Sequence, residues 1–209
     1  DTDGEIDGMD VPMSFVSFSS ASDTELKISS HEDNPEAGIV VASNTGTTDN
    51  VVLLKGEIEI EGESDVVIDE LPITFSPTTS NMNVIVSSIK LIIDGKEYSE
   101  SVPSIAAGAS ASITFDNLDL TIDAGDTVEF KVVAEIADTD DFTAGATVTA
   151  SLTSTNRAAM DVENEQGDNL TAGERSGTAS GEALEFRSNG VLVTLVSATA
   201  VKSASDTDN

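Results

Sequence analysis

Cysteine and tryptophan are absent from this 209-residue chain, and histidine and tyrosine occur once each. Without cysteine there is no disulfide and no thiolate metal site. One histidine supplies too few nitrogen ligands for a zinc centre. A Ser-His-Asp system needs a base held between two partners, and His31 lies in the turn-forming stretch SSHEDNP beside Pro35. Catalysis is therefore not expected. Basic residues are scarce as well: 9 Lys and Arg against 39 Asp and Glu, a net charge of −30. Such a chain repels nucleic-acid phosphates and anionic membrane surfaces. No glycine-rich phosphate loop and no basic patch occurs. No uncharged apolar run approaches the ~18 residues needed to span a bilayer, and no basic-then-apolar signal opens the chain. The sequence reads as starting after processing, or as a piece of something longer.

The acidic surplus has two readings that remain open. One is a halophilic or marine solvated surface; the other is specific use of hard cations. Either way, like-charged neighbours repel until salt or divalent ions screen them. With abundant Thr, Ser, Val, Ile and Asp, the composition fits an extracellular bacterial or archaeal β-protein.

Period-2 alternation dominates residues 50–155, and no helical stripe competes with it. In NVVLLKGEIEIEG, Val52, Leu54, Ile58 and Ile60 are expected on one face, with Lys55, Glu57, Glu59 and Glu61 on the other. Leu71, Ile73 and Phe75 share a face of SDVVIDELPITFSP, where Pro72 implies an edge position or a bulge. Asp94-Gly95 between two extended runs is a strong short-range hairpin signal. Two more strands flank Ala124-Gly125-Asp126, and Val128, Phe130, Val132, Ala134 and Ile136 are expected to point inward. Val148, Ala150 and Leu152 close the series, and shorter candidates lie upstream at 13–18, 24–29 and 38–43. Half-buried strands punctuated by Gly, Asp and Pro turns predict an all-β, antiparallel Ig-like β-sandwich. Lys55 and Lys131 both read as outward, so an internal isopeptide crosslink is not expected.

The expected organisation is an acidic N-terminal segment (1–12), a β-sandwich (13–155), a polar linker (156–183) and a C-terminal strand or hairpin (184–209). The linker is glycine-rich and aperiodic. The last segment contains GVLVTLVSATAVK, a detached apolar strand that buries nothing alone. The Asn189-Gly190 pair permits a local hairpin, but a lone hairpin is marginal in water. Residues 20–25 read SASDTE and residues 203–208 read SASDTD, and each motif follows an apolar strand. The terminal strand thus stands where the first strand of a second unit would stand. It can fold back on its own domain or complete a neighbour's sheet by strand donation. The candidate assembly residues are Val191, Val193 and Leu195 on one face and Leu192 and Val196 on the other. Phe15 and Phe18 are candidate partners.

The stretches NTGTTDNVVLLKGEIEIEG, SSIKLIIDGKEY and ASITFDNLDLTIDAGDTVEFKVVAEIAD resemble the Ig-like modules of bacterial surface-layer-like and extracellular filament proteins. The resemblance spans residues 24–155 and is one of pattern. It implies a sandwich fold and a structural, cell-surface role, and it carries no active site. The chain departs from type IV pilins in lacking a long apolar N-terminal helix.

DTDGEIDGMD at the N-terminus matches an EF-type calcium loop from its third position onward. Asp1, Asp3, Asp7 and Asp10 are the candidate Ca2+ ligands, and Gly4 falls on the sharp turn. The clusters DTDD at 138–141 and DVENEQGD at 161–168 lack such spacing and read as solvated loops. Asn169-Leu170-Thr171 is a glycosylation sequon. The resulting expectation is a self-assembling, non-enzymatic subunit of an extracellular filament, with an adhesin or carbohydrate-binding surface module as the alternative. A glycan-binding platform usually needs exposed Trp or Tyr, and Tyr98 is the only such residue.

Overall fold

A computed structural model describes residues 24–189. The chain runs through β1 (Glu25–Ser30), β2 (Gly38–Val41), β3 (Thr48–Glu61), β4 (Val66–Thr78), a helical turn α1 (Met82–Ile85), β5 (Val86–Ile93) and β6 (Lys96–Glu100). It continues through β7 (Ala111–Phe115), β8 (Leu120–Ile122), β9 (Thr127–Ile136), β10 (Ala146–Leu152), α2 (Ser154–Ala159) and β11 (Asp161–Asn164). The last elements are β12 (Arg175–Gly177), β13 (Ala179–Ser180) and β14 (Leu184–Arg187). The protein is all-β. One sheet has the order β12-β1-β3-β9-β5-β6, and the other has the path β11-β4-β10-β14-β2, with β7 and β8 on β4 and β13 on β10.

Most of the alternation seen in the sequence becomes burial. Phe130, Val132, Ala134 and Ile136 of β9 and Val148, Ala150 and Leu152 of β10 are all buried in one cluster shared by both sheets. The β5–β6 hairpin forms at Asp94-Gly95, with Ile93 opposite Lys96 and both turn residues at positive φ, 47° and 73°. That geometry fits a two-residue turn whose twist matches its strands. β8 and β9, by contrast, lie in different sheets, so the Ala124-Gly125-Asp126 turn carries the chain between layers. Ile60 and Asp65 hold this turn, through Gly125 N–H to Ile60 O at 2.9 Å and Ala124 N–H to Asp65 Oδ1 at 2.9 Å.

The alternation of β3 is broken where its register on β9 shifts between Val52 and Leu54. Leu53 and Leu54 are both buried, and Val52 is only half-buried. An inserted residue at a bulge re-aims the side chains beyond it. Pro72 sits in a strand that pairs with several others. β10 pairs with Thr74–Thr78 and β11 with Val66–Glu70. Pro72 lies outside both of those stretches and stands opposite Thr114 of β7 alone, which leaves its other flank open.

Two expectations need correction. The sheets are mixed, because β12 runs parallel to β1 and β14 runs parallel to β2. The second concerns residues 156–183, which do not form a free linker. They carry most of α2, then β11, a 3₁₀ turn at Ala172–Glu174, β12 and β13. A Thr153–Asn156 capping box starts α2. The buried Arg175 guanidinium donates to Met160 O at 2.8 Å and to Leu170 O, and Arg157 donates to Gly177 O. The glycines that suggested flexibility allow close approach. A Cβ on Gly177 would lie 1.9 Å from Ile28 O, and one on Gly181 would lie 2.3 Å from Leu53 O.

Candidate functional site

The C-terminal end of the described chain is β14, and both its flanks are taken. Leu184, Glu185 and Phe186 pair antiparallel with Val148, Thr147 and Ala146 of β10. Leu184–Arg187 pair in parallel with Gly38–Val41 of β2 on the other side. Leu184 and Phe186 are buried, while Glu185 and Arg187 form an ion pair on the outer face. A hairpin folding back at Asn189-Gly190 would need one flank of β14, so the local hairpin that the sequence permits would find no free edge on that strand.

β2 is the far edge of this sheet. Val40 packs on the core, while Ile39 and Val41 are 49% and 56% exposed. They are the exposed large hydrophobic residues among those described. GIVV carries no charge and no alternation, which is the sequence signal that could have singled it out. From sequence it stands only as a short candidate strand. The proposed assembly residues Val191, Leu192, Val193, Leu195, Val196, Phe15 and Phe18 lie outside the described residues, as do the candidate calcium ligands Asp1, Asp3, Asp7 and Asp10. Among the described residues, no group of three or more His, Asp or Glu is arranged to hold a metal ion.

His31 belongs to a charged cluster on the outer face of the first sheet. The register sets Glu57 opposite Glu129 and Lys55 opposite Lys131, two like-charge pairs that repel. A diagonal contact offsets them, with Lys55 Nζ 3.1 Å from Glu129 Oε2. The 31–35 loop settles over this patch. His31 N–H donates to Lys55 O at 3.1 Å, Lys55 N–H donates to Asn34 Oδ1 at 2.8 Å, and Asn34 Nδ2 donates to Ser180 O at 2.9 Å. His31 Nδ1 accepts the Asp33 N–H at 2.9 Å. His31 Nε2 lies 3.3 Å from Glu129 Oε1 and 3.2 Å from Lys55 Nζ. His31 is thus held between a backbone amide and carboxylates, and an open groove of about 490 Å³ beside Lys55 and Glu129 runs to Asp94 and Gly95.

Glu129 is held below the ordinary glutamate range, first by its hydrogen bond from Lys55 and then by attraction to Lys55 and His31, which outweigh burial. Burial works against the Lys55 ammonium, but Glu129 and Asp33 outweigh it and raise the lysine. The depressed Glu129 contributes stability present above its unfolded pKa, and that is lost as pH falls through the folded value. The raised Lys55 contributes stability present below its unfolded pKa, and that is lost as pH rises through the folded value. In an NMR titration of the carboxyl carbons, Glu129 should protonate below a free glutamate, and Lys55→Met should move its midpoint up. An unmoved midpoint would show that Lys55 is not the cause.

The remaining acidic clusters form turns. Asp138 accepts the Asp140 N–H, and Asn164 Oδ1 accepts the amides of Gln166 and Asp168. A hollow of about 230 Å³ brings together Asp69, Asp119, Asp161 and Glu163. Asn169 of the sequon is exposed and forms a bridge with Glu163. Tyr98 is half-buried against the core, and its hydroxyl donates to Leu118 O at 2.7 Å. No described helix is long and apolar enough to cross a membrane.

No family model matches the chain, and no curated protein matches it. Among solved structures, the chain is similar at 8% identity to AvmM, described as catalysing macrocyclization in alchivemycin A biosynthesis. That match covers 82% of this chain and 93% of AvmM, with a TM-score of 0.36, a likeness too low to carry an argument about function.

Proposed function

We propose that the chain is a structural, non-enzymatic subunit of an extracellular filament or surface assembly. In this reading, subunits join head to tail when the C-terminal strand of one copy completes a sheet of the next. The observation that carries it is the double occupancy of β14, which offers no free flank to the apolar run that begins at Val191. A strand's unpaired N–H and C=O groups must find an edge somewhere. The repeated SASDT motif, 183 positions apart, makes the two ends of the chain equivalent, as translation along a filament requires. An interface that does not close on itself produces open fibres. The glycan-binding alternative is weakened by Tyr98, whose ring and hydroxyl are already engaged by the protein.

Electron microscopy tests this reading. Purified protein should form fibres with one subunit per axial repeat. A subunit carrying −30 repels its neighbours over a Debye length of roughly 30 Å at 0.01 M salt but only about 3 Å at 1 M. Fibres should therefore form faster and longer at high salt. Isolated particles at every salt concentration would refute the proposal.

A further inference from the structure

We infer that the outer edge of β2 is the acceptor, and that its occupant is residues 191–196 of a second copy of this chain. This deepens the strand-donation reading and rests on it. Among the described residues, β12, β6, β11 and β2 end the two sheet paths, and β7, β8 and β13 are each paired with one strand only. All but β2 are ill-suited to accept a strand. β8, β12 and β13 have three residues or fewer, β6 carries Lys96, Glu97 and Glu100, β11 carries Asp161 and Glu163, and β7 exposes only the small or polar Ala111, Ser112 and Thr114. Short length and charge are the devices by which proteins protect an edge. β2 has neither charge nor proline, and it shows Ile39 and Val41 to the outside while Val40 meets the core.

A strand laid against β2 therefore meets apolar surface on both faces. It needs apolar side chains in both alternating sets. Residues 191–196 supply them, with Val191, Val193 and Leu195 in one set and Leu192 and Val196 in the other. The chain runs on for twenty residues past Asn189, enough for this strand and the SASDTD tail.

A second copy fits the edge better than the same chain does. Arg187 lies level with Val41, and the Ala42 N–H donates to Arg187 O at 2.9 Å, so β14 and β2 leave the sheet at the same end. To reach the far side of β2, the same chain would have to pass over Ala42 within Ser188, Asn189 and Gly190. It would cover two interstrand spacings, roughly 10 Å, while reversing direction. It would also cross the β2–β3 connection, and crossing connections at one sheet edge are avoided in folds. A strand from a neighbour meets no such obstacle.

The absence of cysteine makes the test clean. Full-length Ile39→Cys is mixed under mild oxidation with full-length chains carrying Leu192→Cys, Val193→Cys or Leu195→Cys singly. Alternate strand positions face opposite sides, so one alternating set should give a disulfide-linked heterodimer with Ile39→Cys, and the other set should not. A chain carrying both cysteines of the productive pair should give a ladder of covalent oligomers. A crosslinked monomer from that chain would overturn the assignment to a second copy, and no crosslink from any pairing would overturn β2 as the acceptor. Separately, Ile39→Lys with Val41→Lys should reduce assembly at least tenfold and leave the melting temperature unchanged. If that variant assembles normally while a chain ending at Asn189 does not, β2 is the wrong edge and strand donation stands. If the chain ending at Asn189 assembles too, strand donation itself is wrong.

Discussion

Gly177→Ala should lower the melting temperature by about 5–15 °C, from a loss of about 2–4 kcal/mol. Two independent costs act at this position. Its φ of +76° is one that residues with a Cβ rarely adopt. The new methyl would also stand 1.9 Å from Ile28 O, with the Ile28 carbonyl carbon at 2.9 Å and its nitrogen at 3.1 Å. All three contacts are backbone, so no side-chain rotation relieves them. β12 must then draw away from β1, breaking the pairs Leu26–Arg175, Lys27–Ser176 and Ile28–Gly177. Gly46→Ala is the control, since its Cβ would meet nothing within 4 Å. Differential scanning calorimetry of the two variants measures the difference. Equal melting temperatures would mean that residues 156–183 are the loose linker the sequence suggested.

A chain ending at Asn189 should stay folded and lose the ability to polymerise. Phe75, Phe115, Phe130 and Phe186 are fully buried in one cluster whose described members run from Leu26 to Phe186. Its melting temperature should therefore stay within a few degrees of the full chain's. Assembly is different. If the last segment buries about 400 Å² of apolar surface against a neighbour, the gain is about 10 kcal/mol at ~25 cal/mol/Å² before ordering costs. Half of that would still favour association between subunits. Its removal should abolish fibres outright. Fibres of normal length from the shortened chain would remove the C-terminal strand from the account.

Features carried by neighbouring residues were legible in the sequence. The inward set Phe130, Val132, Ala134 and Ile136 follows from alternation alone, and Asp94-Gly95 fixes its hairpin because only two residues separate the paired strands. Contacts between distant residues were not legible. Pairing β1 with β12, and β2 with β14, joins segments well over a hundred positions apart, and parallel pairs carry no turn signature between their strands. Gly177 and Gly181 look the same in sequence as glycines of a flexible linker, because close backbone approach leaves no local pattern. The bulge at Leu53 was hidden for a related reason, since an apolar residue on either side of it fits both registers. At the candidate site, the terminal strand was visible as an unpartnered apolar run. The closing of both flanks of β14 and the uncharged edge of β2 became apparent only with the fold. The His31 cluster is a similar case. The outward positions of Glu57 and Lys55 could be read from alternation, but the loop that seats His31 over Lys55 and Glu129 could not.

The mass of the full-length chain in solution, followed by sedimentation equilibrium over a wide range of concentrations at high salt, tests head-to-tail strand exchange most directly. Strand exchange requires an average mass that climbs without limit above the 21.6 kDa of one chain as concentration rises, while the chain ending at Asn189 stays at the mass of a single subunit. A full-length protein that holds at 21.6 kDa throughout would contradict it.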